Sequence, residues 1–215
     1  MVILERIQFP LLESVPVGEM SEYIPSMIEN LRKLHMIKST TPGLLSKPNR
    51  GQSWQEMMLN IFSDEFDWSE VASREGLDTD LILMSVEKMC EKISKTVFKG
   101  AEYSLLHTDF NQRNLFVNPQ SHEIAGIIDW EDAMFGDSIY DFARVRMYLW
   151  HFDLGSEAIE EYYRFVDFTP EQKELEDLYW LSRVIQYLAW YSEELTKFNK
   201  GRIALHQNYL REYTW

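Results

Sequence analysis

Residues 105–117 read LLHTDFNQRNLFV, and residues 126–130 read GIIDW. Short apolar runs at 104–106, 115–117 and 124–128, set apart by polar turns, predict brief strands that hold loops. Within them stands His107-x-Asp109, with Asn114 five positions after the aspartate and Asp129 fifteen after the asparagine. A step of five lets a loop turn back, so that Asp109 and Asn114 face one cleft. Phosphoryl transfer needs an acceptor for a hydroxyl proton and oxygen ligands for Mg²⁺, because metal charge and positioning do most of the catalysis. Asp109, Asn114 and Asp129 supply that set.

Bland readings compete with this one. A His-x-Asp pair on a strand-loop is by itself ordinarily structural, and only the added spacings of Asn114 and Asp129 turn it toward chemistry. His107 and His122 with Asp109 suggest a zinc hydrolase, but no third ligand stands at an i+4 or i+2 position. Asp137 and Glu131 read as turn residues. Trp180, Tyr187, Trp190 and Tyr191 fall at helical spacing and read as core.

On both sides of this region the apolar period is helical. Ile24, Met27, Ile28, Leu31 and Leu34 predict a helix from Ser21 to about Ser39. Ser53 and Glu56 form a capping box for a second helix, and Asp78 caps a third over 79–98. Further helices are expected over 138–151, 156–166, 170–197 and 201–213, with Pro170 at a first helical position. Val2-Ile3-Leu4 is a strand-like run with no neighbouring strand in sequence.

The 215 residues are 45% apolar and 26% charged, as in an ordinary globular chain. Lys and Arg number 21 against 35 for Asp and Glu, a net charge of −14, which argues against nucleic acid as a partner. Half of that excess lies between Asp153 and Asp177, where nine acids face only Arg164 and Lys173. This stretch is either a solvated helix face or an acidic wall for a cationic substrate. The single cysteine, Cys90, fits a reducing, cytoplasmic setting. No apolar run is long enough to span a bilayer, and no membrane partner is expected.

LLHTDFNQRNLFV, together with GIIDWEDAMFGDSIYDFARV at 126–145, resembles the catalytic and metal-binding segments of the aminoglycoside phosphotransferase family. That family has the protein-kinase-like fold and includes choline and fructosamine kinases. VILERI at 2–7 and the helix ending at Leu34-His35 resemble its hinge strand and first large-lobe helix. The resemblance implies a mainly α chain with a small β-hairpin/loop insertion (α+β), the C-terminal lobe of the fold with the N-terminal β lobe absent. Residues 1–12 would be a hinge-like strand and linker, and 13–215 the helical lobe with both loops.

It further implies Asp109 as catalytic base, His107 as a brace for its loop, Asn114 and Asp129 as Mg²⁺ ligands, and Asp141 as structural support. Phe116 and Ile128 would floor the adenine of ATP, or the base of GTP, while the backbone of Leu4 and Arg6 would edge it. The acceptor would be a small-molecule hydroxyl, aminoglycoside- or choline-like if the acidic stretch faces it. No Gly-x-Gly stands near residue 1. The expectation is therefore a truncated kinase of reduced activity, joined in a homodimer or completed by a separate small-lobe polypeptide. The alternative is a noncatalytic module that binds a ligand or a protein.

Overall fold

The computed structural model describes residues 7–47, 51–98 and 102–215. Leu4 and Arg6, with the rest of the strand-like run before residue 7, lie outside them. In chain order the elements are α1 (Met20–Leu34), β1 (Lys38–Ser39), β2 (Gly43–Leu44), α2 (Trp54–Ser63), α3 (Trp68–Ala72), α4 (Thr79–Lys95), β3 (Tyr103–Leu106), β4 (Leu115–Asn118), β5 (Glu123–Ile127), β6 (Met134–Gly136), α5 (Ile139–His151), α6 (Ser156–Val166), α7 (Pro170–Glu193) and α8 (Lys197–Glu212). Among the described residues the fold is mainly helical, with two small antiparallel sheets.

The caps set where helices begin. Ser53 and Glu56 exchange hydrogen bonds at the head of α2, Asp78 accepts from Leu81 N–H before α4, and Thr169 with Gln172 boxes α7 ahead of Pro170. Thr196 accepts from Asn199 N–H, which starts α8 four residues earlier than periodicity suggests and ends α7 at Glu193. α1 stops at Leu34 rather than Ser39, because Lys38 and Ser39 turn out to pair with Ser104 and Tyr103. α4 likewise ends at Lys95, and the five-residue α3 was not expected.

One sheet has the order β1-β3-β6-β2 and the other is the β4-β5 hairpin. Pro10 and Leu11 do find a strand: Val117 N–H donates to Pro10 C=O at 2.9 Å, and Leu11 bridges Phe116. Two apolar cores flank α5. Tyr140, Ala143 and Met147 join Trp54, Met58, Ile82, Val184 and Leu188 on one side. Phe142, Val145 and Leu149 join Ile24, Ile28, Phe110, Leu115 and Val117 on the other. Between these stripes Asp141, Arg144 and Tyr148 stand at i, i+3 and i+7, a polar stripe on a helix buried from both sides. That stripe meets the loop after β3.

Candidate active site

Asp141 is fully buried and anchors the loop. Its Oδ2 accepts from His107 N–H at 2.9 Å, its Oδ1 from Thr108 N–H at 2.8 Å, and His35 Nε2 lies 3.2 Å from Oδ2. Burying a carboxylate is costly unless donors surround it, and here three do. Thr108 takes φ +67°, a left-handed conformation unfavourable for a β-branched residue. The two bonds from its N–H to Asp141 and from its Oγ1 to Asp132 C=O, 3.1 Å, hold it there. Asp129 also has a left-handed φ, +68°. Strained residues of this kind gather where structure serves chemistry.

His107 ties the two segments together. Its Nε2 lies 2.9 Å from Ile128 C=O, and its Nδ1 accepts from Asp109 N–H at 3.2 Å. That pattern fits the Nε2–H tautomer. Ile128 N–H in turn donates to Asn114 C=O at 3.0 Å, which sets Asp129 alongside the end of the loop.

Asn114 Nδ2 donates to both the carbonyl and the Oδ2 of Asp109, at 2.9 and 2.7 Å. The amide nitrogen is thereby spent on Asp109, and Asn114 Oδ1 is left as the free acceptor of that side chain. Asp129 is exposed, and among the described residues its carboxylate has no hydrogen-bond or ion-pair partner.

Oδ1 of Asp109 accepts from the Tyr148 hydroxyl and from Arg144 Nη2, the latter at 3.2 Å. Burial pushes the Asp109 carboxyl up, but the Tyr148 hydroxyl, the Arg144 charge and the Asn114 amide outweigh it and hold it below the usual carboxylate range. Arg144 is buried against Asp109, Tyr140, Tyr148 and Tyr187. Burial opposes its charge, yet these oxygens fix its proton all the more firmly. Neither Arg144 nor Tyr148 was picked out from sequence. The signal was their spacing from Asp141 on one helix.

Oxygen donors of this kind suit a hard divalent cation. Mg²⁺ is commonly held by one or two carboxylates with phosphate and water completing the shell. Among the described residues no three His, Cys, Asp or Glu side chains gather as a metal site, so a cation here would depend on phosphate oxygens beside Asn114 and Asp129. Phe116 is half-buried on β4 and Ile128 is 38% exposed, beside the same loop.

Four acids of the 153–177 stretch have surroundings of their own. Glu157, Glu160 and Glu161 of α6 line, with Ser21 and Glu22, a hollow of ≈ 370 Å³ beside α1. Glu176 is buried on Tyr162 and Arg146. None of them touches Asp109. Among the described residues no helix is long and apolar enough to cross a membrane.

A family model described as the phosphotransferase enzyme family matches residues 4–178. No curated protein sequence matches. Among solved structures, a thermostable mutant of aminoglycoside phosphotransferase APH(4)-Ia, in ternary complex with AMP-PNP and hygromycin B, is similar at TM-score 0.69. The match has 19% identity and covers 97% of this chain and 71% of that one. A microcompartment-associated aminopropanol kinase is similar at TM-score 0.59, with 15% identity over 91% of this chain and 61% of that one. A Plasmodium vivax ethanolamine kinase is similar at TM-score 0.53, with 14% identity over 96% and 63%.

Proposed function

Since the chain belongs to the phosphotransferase enzyme family, we propose that Asp109, Asn114 and Asp129 form the catalytic side of a site that moves the terminal phosphoryl group of ATP, or GTP, to a small-molecule hydroxyl. The observation that carries this reading is Asn114: its side-chain amide donates to the Asp109 carboxylate while its main-chain carbonyl accepts from Ile128 N–H, next to Asp129.

Mg²⁺ and the nucleotide supply, when bound, the phosphoryl group and the charge that steadies its transfer. Asn114 Oδ1 and the Asp129 carboxylate would hold the cation. Asp109 receives the acceptor hydroxyl on Oδ2, which keeps a lone pair after its bond to Asn114. It takes the proton as the acceptor oxygen bonds to phosphorus and the bridging P–O bond breaks, the electron pair leaving on the diphosphate. Its depressed proton affinity makes Asp109 a weak base, suited to orienting the hydroxyl and accepting the proton late, as a loose transition state requires.

His107 and Asp141 position the loop, and Phe116 and Ile128 offer apolar surface to the base. Leu4 and Arg6, proposed to edge it, lie outside the described residues. The 215 residues contain no glycine-rich loop to cover the triphosphate, so slow transfer is expected from this polypeptide acting alone and faster transfer when a small lobe is added in trans. Half-buried Cys90, its thiol pushed up by burial, fits a reducing cytoplasm.

The test is ADP formation over a panel of hydroxyl acceptors. Acceptor-dependent ADP that vanishes in Asp109→Asn supports the reading. Equal turnover by both proteins overturns it.

A further inference from the structure

Resting on that phosphotransferase reading, the distribution of charge around the site bears on what the acceptor is. Three guanidinium groups connect to Asp109, one directly and two through aromatic rings on and beside α5, α7 and α8. Arg144 is on the carboxylate itself. Arg113, next to Asn114, is exposed and lies 5.2 Å from the ring of Phe152. Arg202 lies 5.1 Å from the ring of Phe198. It lines, with Lys197, Phe198, Gly201 and Leu205, an open groove of ≈ 670 Å³ that holds two cationic side chains and no acidic one.

Arg113 and Arg202 converge on one aromatic stack. His151 and Tyr191 lie parallel, 5.4 Å between centroids, with Tyr191 Oη 2.6 Å from His151 Nε2, and Phe152 packs edge-on against the imidazole. Both arginines act electrostatically on that pair. Phe152 stacks in turn on Tyr148, the phenol that holds Asp109. The path from Asp109 through Tyr148 and Phe152 thus ends at Arg113, and from His151 and Tyr191 it continues to Phe198 and Arg202.

Among the described residues neither Arg113 nor Arg202 has a carboxylate within ion-pair distance. The chain carries 35 acids against 21 bases, so partners were plentiful. Asp109 and Glu194, the acids nearest to Arg113 and Arg202 in sequence, pair with neither. Guanidiniums with no carboxylate partner in so acidic a protein, joined to the proposed base through a run of ring contacts, are suited to receive an anion.

We propose that the phosphate acceptor is a hydroxyl compound that also bears a carboxylate or phosphate, held by Arg113 and Arg202 while its hydroxyl reaches Asp109. The exposed acids on α6 and α7 then serve as a solvated face and not as an acceptor wall.

Calorimetric titration without nucleotide tests this apart from turnover. The probes are gluconate, glucose 6-phosphate, glycerate and glycerol 3-phosphate as anions, glucose and glycerol as neutral counterparts, and glucosamine, kanamycin and choline as cations. At least one anion is expected to bind tenfold or more tightly than every neutral and cationic probe. Arg113→Ala and Arg202→Ala should each remove at least tenfold of that affinity, and Arg202→Lys should restore part of it. Which anion binds separates a carboxylate from a phosphate. Saturating AMP-PNP should leave the anion bound, and its displacement would show that the arginines serve the triphosphate instead. That result, a preference for the cations, equal affinities, or no binding by any anion overturns the proposal. Each of these leaves the phosphotransferase reading standing, since that reading fails only if no ADP formation depends on Asp109.

Discussion

The phenol of Tyr148 donates its hydrogen to Oδ1 of Asp109, across 39 residues of sequence, and Arg144 one turn earlier on the same helix donates to the same oxygen. The candidate base is therefore anchored to a helix that is covered by apolar core on both sides. Its second oxygen, bonded to Asn114, is the one left for a substrate.

Tyr148→Phe removes one of the donors that depress the Asp109 carboxyl, whose proton affinity should rise toward the ordinary value. A carboxylate that acts in its ionised form loses activity as pH falls through its pKa. The acid limb of kcat/KM against pH should therefore move to higher pH, with kcat down between about tenfold and 100-fold from lost alignment. An unmoved acid limb would show that the phenol does not tune this group.

Asp141→Ala strands the N–H groups of His107 and Thr108 in the interior. Each unsatisfied donor costs about 1–3 kcal/mol. A loss of about 3 kcal/mol or more is expected, roughly 6–12 °C in Tm for a chain of this size. Differential scanning calorimetry checks it, and a loss below about 1 kcal/mol would contradict the anchoring role.

Gly136 should not accept even a methyl group. A Cβ there would sit 2.4 and 2.5 Å from the Trp54 ring and 2.7 Å from Leu106, and Trp54 is fixed by its indole N–H bond to Tyr179 Oη at 2.7 Å. Overfilling of this sort costs about 1–3 kcal/mol. Urea unfolding of Gly136→Ala should show it as a lower midpoint with an unchanged slope.

Two buried histidines make the fold acid-sensitive. Burial, helped by the charges of Arg202 and Arg113, lowers His151 from 6.5 to about 3, and burial lowers His206 to about 4. Both folded values lie below the unfolded one, so the unfolded chain binds these protons first. The stability they leave intact above pH 6.5 is lost as pH falls toward 4, at about 1.4 kcal/mol per pH unit for each. Urea midpoints between pH 7.5 and 4.5 should follow that slope, and His151→Phe should remove about half of it.

Much of the site was legible because spacing encodes it: a five-residue loop and a following strand leave Asp109, Asn114 and Asp129 few other places to meet. Arg144 and Tyr148 were not, since polar residues at i, i+3 and i+7 look like a solvated face until α5 is known to be covered on both sides. β1 and β2 are two residues each, too short for any periodicity, and they form only because β3 and β6 offer edges. The acidic run from Asp153 to Asp177 carried charge but no direction, and only the packing of α6 against α1 and the pairing of Glu176 and Asp177 with Arg146 gave parts of it a place.

The central claim is that Asn114 and Asp129 hold a nucleotide-bound cation beside Asp109. Binding of Mn²⁺ in the presence of AMP-PNP, followed by electron paramagnetic resonance, tests it on the wild-type chain and on Asp129→Asn, an exposed position where the shape is kept and the charge removed. The account predicts a nucleotide-dependent Mn²⁺ site weakened at least tenfold by the substitution, with Tm unchanged. Equal Mn²⁺ affinity in the two proteins, or no Mn²⁺–nucleotide binding by either, would contradict it.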